Sequence, residues 1–397
     1  MDISYKIEQN IDDIIELRRE FHQIPELGYE EFKTSFKIAS YLEKMGLEVF
    51  HYNGTGLAAV INSKSDGPML MLRADIDALA GDEETGLPFS SIHPGRMHAC
   101  GHDAHIAGLL GAAKILCEHA DELKGRVLLV FEPNEERSGA LNMIMAGLLE
   151  RFPAQACFGM HVWPGIPLGK ISVAPGPVMA GTIHFRITVA GQTGHTGSPH
   201  LAKDPILCSA AVLQNLQTIQ TREIDIQKPT LIMVGKIEGG VLPNIIPEKV
   251  DMYGTCRHLY EMSEEEDLQA RMERVVKSTA EAYGMSGEIQ WREKFPALIN
   301  DADLSNLAKA AAEDYMGKGN VVEYRYTAGD DFAEFARLIP GVYCHIGTGH
   351  PNGEGDYSLH HPKFSIDEAV LKDMVGMWIK LTFDWFDSQQ CLGGAAQ

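Results

Sequence analysis

The sequence predicts an α/β protein: a mainly parallel sheet with helices on both faces, interrupted by a smaller α+β domain of split β-α-β layout. Three observations predict it. Apolar strands that end in polar residues alternate with helical segments from about residue 56 to 164, the pattern of a parallel sheet covered on both faces. From about Gly181 the texture changes to period-two strands in the order strand-helix-strand-strand-helix-strand, a split β-α-β unit. After residue 293 the first texture returns. The expected organisation is a first part over 1–180, an inserted domain over 181–293, a second part over 294–390 and a small, polar, flexible tail over 391–397.

Composition narrows the class. The chain has 397 residues, 45% of them hydrophobic and 22% charged, as in ordinary globular proteins. The formal net charge is −21, from 55 acidic against 34 basic residues. That excludes nonspecific binding to nucleic acid or an anionic membrane, both of which need a basic surface. The opening Met1-Asp2-Ile3-Ser4-Tyr5-Lys6 leads into a charged helix rather than a signal peptide, and no apolar run is long enough to span a bilayer. Seven scattered Cys form no disulfide framework. Together these predict a cytoplasmic protein.

The elements follow in order. Ile7, Ile11, Ile14, Ile15, Leu17, Arg18 and Phe21 predict one amphipathic helix, broken at His22-Gln23-Ile24-Pro25. A second helix runs from Glu30 to Met45, with Gly46 as its cap. Gly56–Ile61 and Pro68–Ala74 are strands, and the second runs on into Asp75-Ile76-Asp77. A buried helix with Ile106, Leu109, Leu110, Ile115 and Leu116 precedes a strand at 125–131, which delivers Glu132-Pro133-Asn134-Glu135-Glu136 at its end. A helix over 140–149 and a strand over 156–164 containing His161 complete the first part. In the inserted domain, strands at 182–190, 230–237, 250–257 and 287–293 enclose helices at 204–220 and 263–283. Helices at 303–315 and 367–383 and a strand at 342–346 follow, with a Gly-rich loop over 347–358.

The chemistry starts from Met97-His98-Ala99-Cys100-Gly101-His102-Asp103-Ala104-His105. Side chains two apart share a side only in an extended segment, so Cys100 and His102 can act together only on a loop or strand. Thiolate and imidazole are ligands for zinc and related ions. Further candidate ligands are Glu135 or Glu136, His161 and His360, all where loops leave core elements. Five candidates and a spare acid suit two ions better than one closed structural site. Adjacent acids in a loop are a solvated surface in most proteins. Here Glu135-Glu136 ends a buried strand, and a cation would relieve their repulsion. One carboxylate would ligate and the other would take a proton from a water whose pKa a metal lowers from 15.7 to roughly 7. His98 and His105 are expected to support the site or simply open the helix. Cys100 activated by His102 as a nucleophile is a competing arrangement, without an evident third orienting group.

These pieces together resemble the amidohydrolase branch of the aminoacylase and carboxypeptidase G metallopeptidase family, which includes hippurate hydrolase, auxin-conjugate hydrolases and bacterial N-acyl-amino-acid amidohydrolases. The matching stretches are Leu17-Arg18-Arg19-Glu20-Phe21-His22-Gln23-Ile24-Pro25-Glu26-Leu27, Arg73-Ala74-Asp75-Ile76-Asp77-Ala78-Leu79, the Met97–Asp103 segment, Glu132–Glu136, Gly194-His195-Thr196-Gly197-Ser198-Pro199-His200, Pro243-Asn244-Ile245-Ile246-Pro247, Gly254-Thr255-Cys256-Arg257 and His360-His361-Pro362-Lys363-Phe364. The resemblance implies a dinuclear site from Cys100, His102, Glu136, His161 and His360, with Glu135 as general acid and base. Asp75 would orient a ligand, and His195 would polarise the scissile carbonyl. Asn244 and Arg257 would hold the substrate carboxylate. The inserted domain would be lid and dimerisation surface. The sequence departs from the family in Arg137-Ser138 after the acidic pair, in Ala80 and in Gln192-Thr193.

The expected function is hydrolysis of N-acyl amino acids such as hippurate-like or N-acetyl substrates. The ions would be two per subunit, zinc first among them, with manganese, cobalt and nickel open to the same ligands. A homodimer or higher homo-oligomer is the expected assembly. A dipeptidase or carboxypeptidase on the same site is the alternative. A non-catalytic metal-storage protein and a Cys-nucleophile amidase are the others, and chelation separates the last.

Overall fold

The computed structural model describes residues 3–262, 267–349 and 356–394, with side chains to residue 390. Two compact units emerge. The first comprises Met1–Val178, Ile299–Arg325 and Asp330–Gln397, and the second Met179–Leu298 and Tyr326–Gly329.

The first unit is built on an eight-stranded sheet. Its order is Val49–Tyr52, Gly56–Ile61, Arg126–Glu132, Met69–Asp75, Ala156–Pro167, Gly341–Gly349, Ile171–Ser172 and Val321–Val322. The four central strands run parallel and the outer pairings at Gly56–Ile61 and Ile171–Ser172 are antiparallel. Met69–Asp75 and Gly341–Gly349 are buried along their whole length, as two-sided cover of a parallel sheet requires. Asp75 stands beside Glu132 in register, and His161 beside His345. The C-terminal ends of the parallel strands therefore present their polar residues side by side.

Helix His102–Glu118 anchors the middle of this unit. All of His102–Ala113, with Ile115 and Leu116, is buried, because the helix is apolar on every side. Each fully buried aliphatic side chain there contributes roughly 1.5–3 kcal/mol, so the loop before it leaves from a fixed point. Gly101 precedes the helix at φ +87°, and a Cβ on it would lie 2.4 Å from Val162 Cγ2. Only glycine fits there.

The second unit is a four-stranded antiparallel sheet ordered Thr230–Gly239, Lys249–His258, Gly181–Ala190 and Ser286–Phe295. Ile183, Phe185, Ile187 and Val189 share one core with Val212 and Leu216 of helix Pro205–Thr218 and Met272 and Val276 of helix Leu268–Ala282. Arg186 pairs with Asp251 at 2.9 Å. This is the split β-α-β layout expected from the alternation.

Several local expectations are corrected. The first helix is two, Ile3–Glu8 and Ile11–His22: the Asn10 side chain donates to Lys6 O at 2.9 Å and its backbone starts the second. The helix expected over 140–149 is split into Gly139–Met145 and Leu148–Arg151 by Gly147 at φ +86°. Strand Val49–Tyr52, which the sequence pattern does not announce, pairs with Gly56–Ile61. The closing helix runs Val370–Gly394, well past Phe383, so Cys391–Gly394 are helical and not tail, and 395–397 lie outside the described residues. Residues 263–266 of the expected 263–283 helix, and 350–355 of the expected Gly-rich loop, also lie outside them.

Candidate metal centre

Loops leaving the sheet edge bring six side chains together in the first unit. Ligand atoms of Cys100, His102 and His161 lie within 4.8 Å of one another, as do those of Cys100, Glu136 and His360, and those of His102, Glu135 and Glu136. Cys100 is common to the first two sets. Its Sγ is 3.4 Å from His161 Nε2, and His360 Nε2 is 3.3 Å from Glu136 Oε1.

Local backbone explains the delivery. The Cys100-Gly101-His102 turn owes its shape to the left-handed glycine. Glu135–Arg137 forms a single 3-10 turn between Asn134 at φ +56° and Ser138 at φ +76°, and it brings both carboxylates to within 4.8 Å of each other and of His102. His360 itself sits at φ +68°, and its N–H donates to Ala99 O at 2.8 Å, tying it to the Cys100 loop. Three non-glycine residues in a sparsely populated region around one cluster fit a site held by its surroundings.

The supporting contacts partly differ from expectation. His102 Nδ1 meets Asp77, 2.9 Å from its carbonyl and 3.2 Å from its carboxylate, while Asp75 is 3.8 Å away. The other Asp77 oxygen accepts from Glu136 N at 3.3 Å. Asp77 therefore braces two candidate ligands at once. Asp75 instead bonds His105 Nδ1 at 2.5 Å and Arg73 at 2.7 Å, and His105 Nε2 accepts from Val162 N at 3.0 Å. The Asp75-x-Asp77 spacing at a strand end was the available signal for Asp77. Nothing in the pattern marked Asp330 and Asp331, whose carboxylates lie within 4.8 Å of a Glu135 oxygen. Arg73, fully buried, holds Glu132 at 2.6 Å and Asp331 at 3.0 Å from the other side.

Electrostatics match this crowding. Burial, then Asp330 and Glu136, push the Glu135 carboxyl well above the usual range. Burial opposes charge on Glu136 too, but His360 and His102 hold it below. Hydrogen bonds to Cys100 and Glu136 push His360 up to about 10. Burial and His105 keep His161 well below its ordinary value, leaving a neutral imidazole of the kind that ligates metals. The donor set suits divalent ions: thiolate, imidazoles and carboxylates converge, and buried His102 Nε2 has no hydrogen-bond partner among the described residues although its Nδ1 is engaged. That is the division a ligating histidine shows.

In the second unit, Gly194–His195 pairs with Ile245–Ile246, and Thr196 N donates to Asn244 O at 3.2 Å. His195 and Asn244 are thus neighbours. His195 is exposed, and its Nδ1 accepts from Gly197 N at 2.9 Å, so Nε2 carries the proton of the neutral ring. Arg257 Nη1 donates to Thr182 Oγ1 at 3.3 Å and to Thr327 O.

The chain is 38% identical over 361 residues to N-acetyl-L-cysteine deacetylase of Bacillus subtilis, covering 90% of this chain and 84% of that one. It is 37% identical over 365 residues to the IAA-amino acid hydrolase ILR1-like 4 of Arabidopsis thaliana, covering 90% and 82%. The crystal structure of the Bacillus subtilis YXEP protein, described as a dinuclear metal binding peptidase, superposes with a TM-score of 0.82 at 33% identity, covering 96% of this chain and 99% of that one. The model of peptidase family M20/M25/M40 matches residues 71–383, and the chain belongs to that family, as a metal-dependent hydrolase of amide bonds.

Proposed function

We propose that this protein hydrolyses the amide bond of N-acyl amino acids with two divalent ions held by Cys100, His102, Glu136, His161 and His360. The observation that carries the reading is the pair of ligand sets sharing Cys100, with Glu135 beside them. Bound ions would act as Lewis acids and supply a water nucleophile at neutral pH. Glu135 takes the proton of the attacking water as the C–O bond forms, then delivers it to the nitrogen as the C–N bond breaks. His195, its Nε2–H free to donate, stabilises the carbonyl oxygen. Asn244 and Arg257 bind the amino acid carboxylate. Asp77 orients His102 and Glu136 directly, and Asp75 fixes His105, whose ring packs against His161. The products are a carboxylic acid and a free amino acid.

Zinc is the first candidate from the Cys and His donors, with manganese, cobalt or nickel open to them. The second unit serves as lid and as homodimer surface. Its edge strand Thr230–Gly239 exposes Leu231, Met233 and Ile237, which supports pairing with a second copy. Free thiols at Cys100, Cys117, Cys157, Cys208, Cys256 and Cys344 support a reducing cytoplasm. No helix among the described residues is long and apolar enough to cross a membrane.

The test is a panel of N-acetyl, N-benzoyl and N-indoleacetyl amino acids alongside dipeptides, each with chelator and with metal added back. Loss on chelation and recovery with metal supports the mechanism. Activity untouched by chelation sinks it and points to Cys100 as nucleophile. Cleavage of dipeptides alone favours a peptidase, the second reading, which the likeness to the YXEP peptidase supports.

A further inference from the structure

The Leu17–Leu27 stretch takes no part in the chemistry above, and it lies outside the 71–383 family match. Arg18, His22 and Glu26 nonetheless turn inward. Arg18 and Asp103 are 2% and 0% exposed, with Arg18 Nε 2.7 Å from Asp103 Oδ2. His22 Nδ1 reaches the same oxygen at 2.7 Å, and His22 Nε2 is 3.2 Å from Glu83 Oε1. Arg19 grips Glu368 with two bonds of 3.0 and 2.6 Å, and Arg18 Nη1 approaches Glu368 at 3.5 Å. With His22 protonated, three cations face three carboxylates.

The grip falls on both halves of the candidate metal centre. Asp103 follows His102 directly and is the acid in the first turn of its helix. Glu368 lies on the C-terminal segment that carries His360. A second tie runs from the loop of Glu83, where Glu84 N donates to Pro362 O at 2.8 Å. Helix Ile11–His22 thus spans from the Cys100–Asp103 loop to the His360–Glu368 segment. A buried balanced cluster adds little net stability over apolar packing but fixes direction.

We propose that Arg18 and His22 are positioning residues for the metal centre, holding Asp103 and, with Arg19 on Glu368, setting the Cys100–His102 loop and the His360 segment in one geometry. The inference rests on the metal reading above. Removing such supporting contacts weakens metal binding about 10- to 100-fold.

The test is a cobalt(II) titration of full-length protein stripped by chelation, read by calorimetry and by the thiolate-to-cobalt absorption band. The variants are R18Q, H22Q, R18K and E368Q. L42A, at a fully buried apolar position, controls for lost stability. R18Q and H22Q should fold by circular dichroism yet bind cobalt at least about tenfold more weakly with a changed band, and L42A should melt earlier but titrate as wild type. R18K keeps the charge without the fork, so it should weaken cobalt less than R18Q, and it decides the matter if R18Q does not fold. E368Q should weaken one of two binding events and leave the other at its wild-type value. Wild-type titration by R18K, H22Q and E368Q together, or equal weakening in L42A, overturns the proposal. A wild-type chain that takes up no cobalt overturns the metal reading itself.

Discussion

Two buried ionic clusters in the first unit are built on opposite principles. Around Arg73, one guanidinium faces Asp75, Glu132, Asp330 and Asp331, all within 3.5 Å. Around Arg18, cations and carboxylates balance. Burial and Glu132 push the Asp331 carboxyl well above the usual range. Burial works equally against Asp103, yet Arg18 and His22 hold it far below that range. Burial alone therefore does not set a carboxylate's state; the count of opposing charges does. An acid-rich cluster under a candidate metal centre supplies a negative field, whereas a balanced one supplies rigid geometry.

The largest effect is expected at Glu135, which the acid-rich cluster crowds. Glu135→Gln should lower kcat by roughly 10²–10⁴-fold, while the urea midpoint holds or rises because a repelled carboxylate is gone. A midpoint that falls would mean that Glu135 is a structural partner of that cluster.

Arg73→Met removes the guanidinium that faces four acidic side chains and should cost about 3–5 kcal/mol at pH 7, measured by urea unfolding. The loss should shrink at pH 5, where carboxyl groups can take up protons. Equal loss at both pH values would break the contrast.

The same substitution, made once in each cluster, sharpens it. Asp103→Asn removes a charged partner and should cost about 3–5 kcal/mol, whereas Asp331→Asn removes a carboxyl whose charged form burial and Glu132 already disfavour and should cost clearly less. The signs with pH are opposite. The folded-state pKa of Asp331 lies above its unfolded value, so its contribution is present below about pH 4 and lost as pH rises through the folded pKa. That of Asp103 lies below its unfolded value, so its contribution is present above about pH 4 and lost as pH falls. Asp103→Asn should flatten the acid limb of stability against pH and leave the neutral limb alone.

The smallest effect is expected at the partly exposed edge of the balanced cluster. Glu368→Gln should change stability by no more than about 1 kcal/mol. A larger loss would make the edge of the cluster as costly to break as its core.

Legibility from sequence followed locality. Period and strand-end chemistry marked the parallel sheet, the inserted unit and the candidate ligands, because each is written within a few neighbouring residues. The clusters were not legible. Arg73 meets Asp331 across 258 positions and His22 meets Asp103 across 81, and no spacing rule links such distances. Arg18 fell among the residues that mark the helix and His22 at the stretch expected to break it, and neither position showed a buried ion pair, since burial of a charge is decided by what packs over it. Asp77 was nearer to hand: its strand-end position was visible, but only the fold shows that its carbonyl and carboxylate both meet His102. The length of the closing helix was lost in a tail of small residues with weak apolar period.

The order of the candidate ligands along the chain has a consequence for biosynthesis. When a ribosome has just emitted the Ala156–Pro167 strand, Cys100, His102, Glu135, Glu136 and His161 all exist, but the neighbouring strand Gly341–Gly349 and His360 do not. An entire second unit must be translated before His360 can reach the Ala99 carbonyl. On the proposed ligand set the nascent chain lacks one ligand until then, and a chain that ends before residue 360 would lack it permanently.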